Sequence, residues 1–133
     1  MKRILFLLLL IASVQVASAQ AYTELPFTSA DTLTNADTIV KNITLSSSAS
    51  DGIILQPVIT RLSGTAAGKI VLLQSVNGTD FIRTDSVTLS NVVTNTAFIT
   101  KTSPLSLYYR IEFISSGTTA LIPRLYYIQR KNK

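Results

Sequence analysis

Apolar residues along this chain fall into two regimes. The first is an unbroken run, Ile4 to Ala12, behind the cation pair Lys2-Arg3. The second begins at Asp37 and is a succession of short β-branched runs separated by clusters of Ser, Gly, Asn and Pro. No run in this second regime sustains a 3.6-residue period. Turn signals recur about every ten residues, the spacing of an all-β sandwich or barrel. Between the two regimes, residues 20–36 are small and polar, with Pro26, Ser29, Asp31 and Asn35. They read as an extended lead-in with one short strand at Tyr22 to Phe27.

Period-2 alternation places the strands. Asp37 to Leu45 sets Ile39, Ile43 and Leu45 on one face with Lys41, and Asn42 and Thr44 on the other. Ser46 to Gly52 is a loop. Ile53 to Leu62 is nearly apolar throughout; Pro57 cannot donate to a ladder there, which predicts an edge or a bulge. Ser63 to Gly68 turns the chain into Lys69 to Val76. Asn77-Gly78-Thr79-Asp80 then makes a tight reversal, because Asn and Gly tolerate positive φ. Phe81 to Leu89 returns antiparallel, with Thr84, Ser86 and Thr88 opposite Phe81, Val87 and Leu89 in facing. Asn91 to Asn95 turns again, Thr96 to Thr100 is a short strand, and Pro104 closes the next connection. Leu107 to Ile114 carries a core stripe of Leu107, Tyr109, Ile111 and Phe113. Ser115 to Thr119 turns into Ala120 to Arg130. The expected fold is an all-β antiparallel sandwich of six to seven principal strands, Ig-like or jelly-roll in its connections, preceded by an N-terminal signal helix. No internal repeat is visible.

The first regime has the form of an export signal. A basic pair, an apolar run and Ala17-Ser18-Ala19 predict cleavage that leaves Gln20 first. A retained membrane anchor is the alternative, but spanning needs about 17–25 apolar residues. Ile4 to Ala19 is shorter and includes Ser13, Gln15 and Ser18. Lipidation at the junction needs a Cys, and the chain has none. The expected organisation is a signal peptide or anchor over 1–19, the lead-in over 20–36 and a sandwich domain over 37–133. The expected location is exported: periplasmic, extracellular or at a virion surface.

Charge and chemistry narrow the function. The whole chain carries +5; without Lys2 and Arg3, 10 basic residues stand against 7 acidic ones. That surplus is too mild for a nucleic-acid binder. Arg130, Lys131 and Lys133 cluster at the end, as a solvated tail or a contact for an anionic surface. With no Cys there is no disulfide and no thiol nucleophile, and with no His the commonest general base and metal ligand are missing. No Ser lies in a Gly-x-Ser-x-Gly elbow. The carboxylates Glu24, Asp31, Asp37, Asp51, Asp80, Asp85 and Glu112 show no spacing that pairs them, and Asp31 and Asp37 form no calcium loop. No cofactor and no metal are expected.

One constellation can carry contact. If the last two strands form a hairpin, Tyr108, Arg110, Glu112, Arg124, Tyr126 and Arg130 share its outward face. One register opposes Arg110 to Arg124; a slide of two residues opposes Glu112 to Arg124 and sets Arg110 beside Tyr126. The face is either a solvated sheet surface or a Tyr/Arg contact surface for sugar or protein, since interfaces are enriched in those residues. Asn42-Ile43-Thr44 and Asn77-Gly78-Thr79 also match the glycosylation sequon.

Residues 62–130 carry a further pattern. Leu62-Ser63-Gly64-Thr65-Ala66-Ala67-Gly68-Lys69 leads into Val71-Leu72-Leu73-Gln74-Ser75-Val76-Asn77-Gly78-Thr79-Asp80-Phe81. Asp85-Ser86-Val87-Thr88-Leu89, Leu107-Tyr108-Tyr109-Arg110 and Ser115-Ser116-Gly117-Thr118 follow. This resembles small β-sandwich virion-associated proteins of Bacteroidota-type phages and prophages. The Asn-Gly-Thr hairpin with its following aromatic also resembles discoidin-like and carbohydrate-binding sandwiches. The resemblance implies no functional residues. The expected function is that of a non-enzymatic exported structural or interaction protein, a component of an extracellular or virion assembly. The alternative is a secreted or periplasmic carbohydrate-binding or adhesion module. Expected partners are proteins or further copies of the chain, with a glycan as another option, and no nucleic acid. A membrane is met only through residues 1–19 if these stay attached.

Overall fold

The computed structural model describes residues 21–45, 50–102 and 106–131. The predicted signal helix and Pro104 lie outside the described residues. The chain is all-β, with ten strands in two antiparallel sheets. They are β1 (Thr23–Leu25), β2 (Leu33–Thr34), β3 (Thr38–Thr44), β4 (Ser50–Gly64), β5 (Gly68–Ser75), β6 (Ile82–Thr88), β7 (Thr94–Thr96), β8 (Ile99–Thr102), β9 (Tyr108–Ser115) and β10 (Thr119–Lys131). Sheet A runs β1-β10-β4-β7, with β2 also on β10 and β8 also on β4. Sheet B runs β3-β9-β5-β6.

The alternating stripes of both sheets share one core. Sheet A contributes Ile53, Leu55 and Ile59 of β4 and Leu121 and Leu125 of β10; sheet B contributes Ile70, Leu72, Tyr109, Ile111 and Phe113, all buried. Burial pushes the Tyr109 phenol above its ordinary value. The extra strands beyond the expected count come partly from the lead-in. There β1 and β2 pair with β10, Leu33 is fully buried, and Phe27 meets Phe113 edge-on with ring centroids 5.7 Å apart.

The β5–β6 hairpin forms as the pattern predicts. Asn77 Oδ1 accepts from the Thr79 and Asp80 N–H groups at 2.9 Å, and Gly78 sits at φ +76°. A bulge between Leu72 and Leu73 leaves Thr84 as the extra residue on β6.

The last two strands do not form a hairpin. β9 lies between β3 and β5 in sheet B, whereas β10 lies in sheet A along the full length of β4. Each carries an apolar stripe for the same core, and placing the strands in opposite sheets lets the two stripes meet. Two features fix the crossing. The Ser115 hydroxyl bonds the Asn35 carbonyl and accepts from the Asp37 N–H, tying the end of β9 to the chain entering β3. The β4-to-β5 connection crosses alongside, with Gly64 (φ +70°) packed on Thr118 and Gly68 (φ +133°) packed on the Ile114 carbonyl. A Cβ at either glycine would collide with main chain.

Pro57 lies neither at an edge nor at a bulge. It sits in an interior strand, paired with Leu125 on one side, where the ladder is unbroken. Its carbonyl accepts from the Ala97 N–H at 3.2 Å, so its missing donor points the same way. That is where β7 ends and β8 begins, although Val58↔Thr96 and Leu55↔Ile99 keep one register across the break. Pro123 of β10 has the same parity. Its missing donor faces the gap between β1, which pairs residues 125–127, and β2, which pairs residues 120–121.

Both edges of sheet A are therefore interrupted. The edges of sheet B are guarded by inward charges. Lys41 of β3 pairs with Asp31 at 3.1 Å, and Asp85 of β6 pairs with Lys101 of β8 at 3.2 Å. Interrupted strands and inward charges both discourage edge-to-edge pairing with another chain.

Candidate functional site

Placing β9 and β10 in different sheets divides the six candidate contact residues. Tyr108, Arg110 and Glu112 project from sheet B, and Arg124, Tyr126 and Arg130 from sheet A. Neither cross-strand register proposed for them occurs. The partners of β9 are β3 and β5, so Arg110 stands between Asn42 and Leu73.

On sheet B, Arg110 and Tyr108 are occupied in holding the fold, and Glu112 stands between Val40 and Val71. Arg110 donates from Nε to Asn42 Oδ1 at 3.1 Å and lays its guanidinium 3.9 Å over the Phe81 ring. A Cβ on Gly78 would stand 3.3 Å from the Tyr108 ring, so that ring lies against the hairpin turn. Arg110 and Tyr108 thus clamp the β5–β6 turn onto β9. The sequon asparagines are also engaged: Asn42 by Arg110, and Asn77 by its own turn and by Asp80 Oδ2 at 2.7 Å.

Sheet A presents a different outer face. Its inward residues on β4 and β10 are buried, so alternation turns Ile54, Gln56, Val58 and Thr60 outward from β4. The same alternation turns Ile122, Arg124, Tyr126 and Ile128 outward from β10. The cross-strand rows are Ile54–Ile128, Gln56–Tyr126, Val58–Arg124 and Thr60–Ile122. All but Arg124 are half-buried. The outer face of the two central strands is therefore mixed: Ile54, Val58, Ile122 and Ile128 are apolar, and Gln56, Thr60, Arg124 and Tyr126 stand among them.

A groove of about 360 Å³ lies on this face, lined by Tyr22, Ile54, Gln56, Phe98, Tyr126, Tyr127 and Ile128. Tyr22 meets Tyr126 edge-on at 5.6 Å with the rings at 79°. Phe98 is 69% exposed and stands beside Gln56, at the break in the edge strand opposite Pro57. The Arg124 guanidinium is held above its ordinary value by the Tyr126 hydroxyl, with Glu24 adding to the effect. Arg130 belongs to the same face, at the far end of β10.

Of this surface, the sequence pattern identified Arg124, Tyr126 and Arg130 and missed Tyr22, Ile54, Phe98, Ile122 and Ile128. The available signal was the consecutive apolar run Ile53-Ile54-Leu55, which marks a strand apolar on both sides. Ile122 and Ile128 interrupt what was read as the polar side of the last strand.

Among the described residues, the carboxylate at the rim of this face is Glu24 on β1. Elsewhere, Asp31 is held below its ordinary value by the Thr28 N–H and by Lys41, Asp80 takes the Asn77 amide, and Asp85 takes Lys101. Among the described residues no three His, Cys, Asp or Glu side chains gather where they would hold a metal. What the face offers is apolar and aromatic contact area with a few hydrogen-bonding groups. No protein-family model and no curated protein matches the chain.

Proposed function

We propose that this chain is a non-enzymatic, exported interaction protein, a β-sandwich that serves as a component of an extracellular or virion assembly. Its contact surface is the outer face of sheet A. The observation that carries the reading is the cluster of aromatic and apolar side chains around the groove on the outer face of β4 and β10, in a fold whose sheet edges are interrupted or charged. Aromatic residues with a fringe of Arg are what interfaces concentrate. The groove volume lies at the lower end of the range for ligand sites, about 300–1,000 Å³. Export rests on the basic, apolar and small-residue segments of residues 1–19.

A carbohydrate-binding module is the second reading. It is favoured by one observation: Tyr22, Phe98 and Tyr126 surround Gln56, whose amide both donates and accepts. Rings that stack on sugar faces around such an amide are the chemistry glycan recognition uses.

The test is a double variant, Phe98→Ser with Tyr126→Ala, expressed in the producing cells. Both side chains are at least partly exposed, so circular dichroism should match the parent. Loss of the variant from the assembly, with free protein accumulating, is the expected outcome. Retention equal to the parent would remove this face from the function.

A further inference from the structure

We infer that the outer face of sheet A is covered by the same face of a second copy of this chain, packed sheet against sheet about a two-fold axis. The inference rests on the contact-surface reading above and names its occupant.

Three observations support a flat protein surface over any other covering, and a fourth limits its strength. Ile54, Val58, Ile122 and Ile128 supply apolar contact area on two neighbouring strands, with Gln56, Thr60, Arg124 and Tyr126 between them. Such a surface is matched by another apolar sheet face at the usual spacing of stacked sheets, about 10 Å. The charges on the face also suit a copy of itself. Without Lys2 and Arg3 the chain still carries 10 basic residues against 7 acidic ones, a surplus that disfavours most orientations of a second copy. This face instead places Glu24 beside Arg124, so a two-fold axis can bring each carboxylate near the opposite guanidinium.

The third observation concerns the alternative route to self-association, strand addition at an edge. The edge strands of sheet A break opposite Pro57 and Pro123, and Lys41 and Asp85 guard the edges of sheet B. The fourth is area. The stretch Ile54 to Thr60 at about 3.3 Å per residue, across four strand positions about 4.8 Å apart, gives a footprint of roughly 450 Å². That falls short of the roughly 800 Å² per partner of a standard interface. The expected dimer is therefore weak and concentration-dependent, strengthened where many copies are held together.

The absence of Cys makes a clean test possible. Gln56 lies in the middle of the face, so Gln56→Cys places one thiol near the two-fold axis. Ser86→Cys, exposed on β6 of sheet B, is the control. A bis-maleimide reaching about 10 Å spans two stacked sheets, whereas a direct disulfide does not. The full-length protein purified from its producing cells should cross-link through Gln56→Cys at least about tenfold faster than through Ser86→Cys. Adding Ile128→Arg should abolish the difference, with circular dichroism unchanged.

Equal rates for the two cysteines, or a difference that survives Ile128→Arg, would overturn the inference. The contact-surface reading fails separately. If the rates are equal and the Phe98→Ser/Tyr126→Ala variant is still lost from the assembly, another partner covers the face. If that variant is also retained, both readings fall.

Discussion

Phe113→Ala tests how the lead-in is joined to the core. Phe113 is fully buried on β9, and its ring meets Phe27 edge-on at 5.7 Å. Phe27 in turn lies 4.6 Å beneath the Lys41 ammonium, which is bonded to Asp31. Deleting a buried Phe side chain costs about 3–5 kcal/mol in transfer and cavity terms together. Within that, an aromatic edge-to-face pair accounts for about 0.5–1.5 kcal/mol beyond area burial. For a domain of this size each kcal/mol shifts the melting midpoint by roughly 4 °C, so a fall of about 12–20 °C is expected. No disulfide is present to offset it. Thermal unfolding followed by circular dichroism measures the shift. The cycle Phe27→Ala, Phe113→Ala and the double variant isolates the pair, with an expected coupling of about 0.5–1.5 kcal/mol. A midpoint within about 3 °C of the parent would refute the core assignment. A coupling near zero would show that Phe27, and with it the lead-in, is not packed on this ring.

Four further outcomes are expected. Gly68→Ala, which must hold φ +133° and push a Cβ into the Ile114 carbonyl, should destabilise by more than about 1 kcal/mol; an unchanged chemical-denaturation midpoint would contradict the crossover geometry. Arg110→Ala should cost about 0.5–1 kcal/mol through loss of its stacking on Phe81, while leaving assembly intact; loss of assembly without loss of stability would return sheet B to the contact surface. Asp31 has a folded-state pKa lowered from 3.8, so its stabilising contribution is complete above that value and is lost as pH falls through the lower folded value. Asp31→Asn should therefore flatten the fall of the melting midpoint below about pH 4, and an unchanged acid limb would contradict the Thr28 and Lys41 contacts. Mass spectrometry of the exported protein should find Gln20 as the first residue; recovery of the Met1 form would support the anchor reading.

The alternation of Tyr109, Ile111 and Phe113 was enough to orient β9, although Leu107, expected in the same stripe, precedes the strand and is exposed, and Asn77-Gly78 was enough to place a hairpin. Both signals are local. Which strand lies beside which is not local, because period 2 tells which face is buried and not which neighbour is paired. That is why the last two strands read as a hairpin although β10 pairs with a fifteen-residue β4 instead. β1 falls inside the short strand expected at Tyr22 to Phe27, whereas β2, two residues long, is too short to show a period. Their strand character comes from the free edge of β10. Pro57 shows the same limit: its missing donor was legible, but the interruption in the neighbouring strand that accommodates it lies some forty residues further on, at Ala97 and Phe98. The candidate surface was half legible for a related reason. Arg124 and Tyr126 stood out by residue type, whereas Ile54, Ile122 and Ile128 looked like ordinary core until the sheet showed which side they occupy.

The central claim is that the outer face of sheet A is where this protein makes contact. Hydroxyl-radical footprinting of the protein, free and in its native assembly, measures it directly. Oxidation of Tyr22, Phe98 and Tyr126 should fall several-fold on assembly, while exposed residues of sheet B such as Ile82 keep their free rate. Equal oxidation of the three aromatic residues in both states, or protection confined to sheet B, would contradict the account.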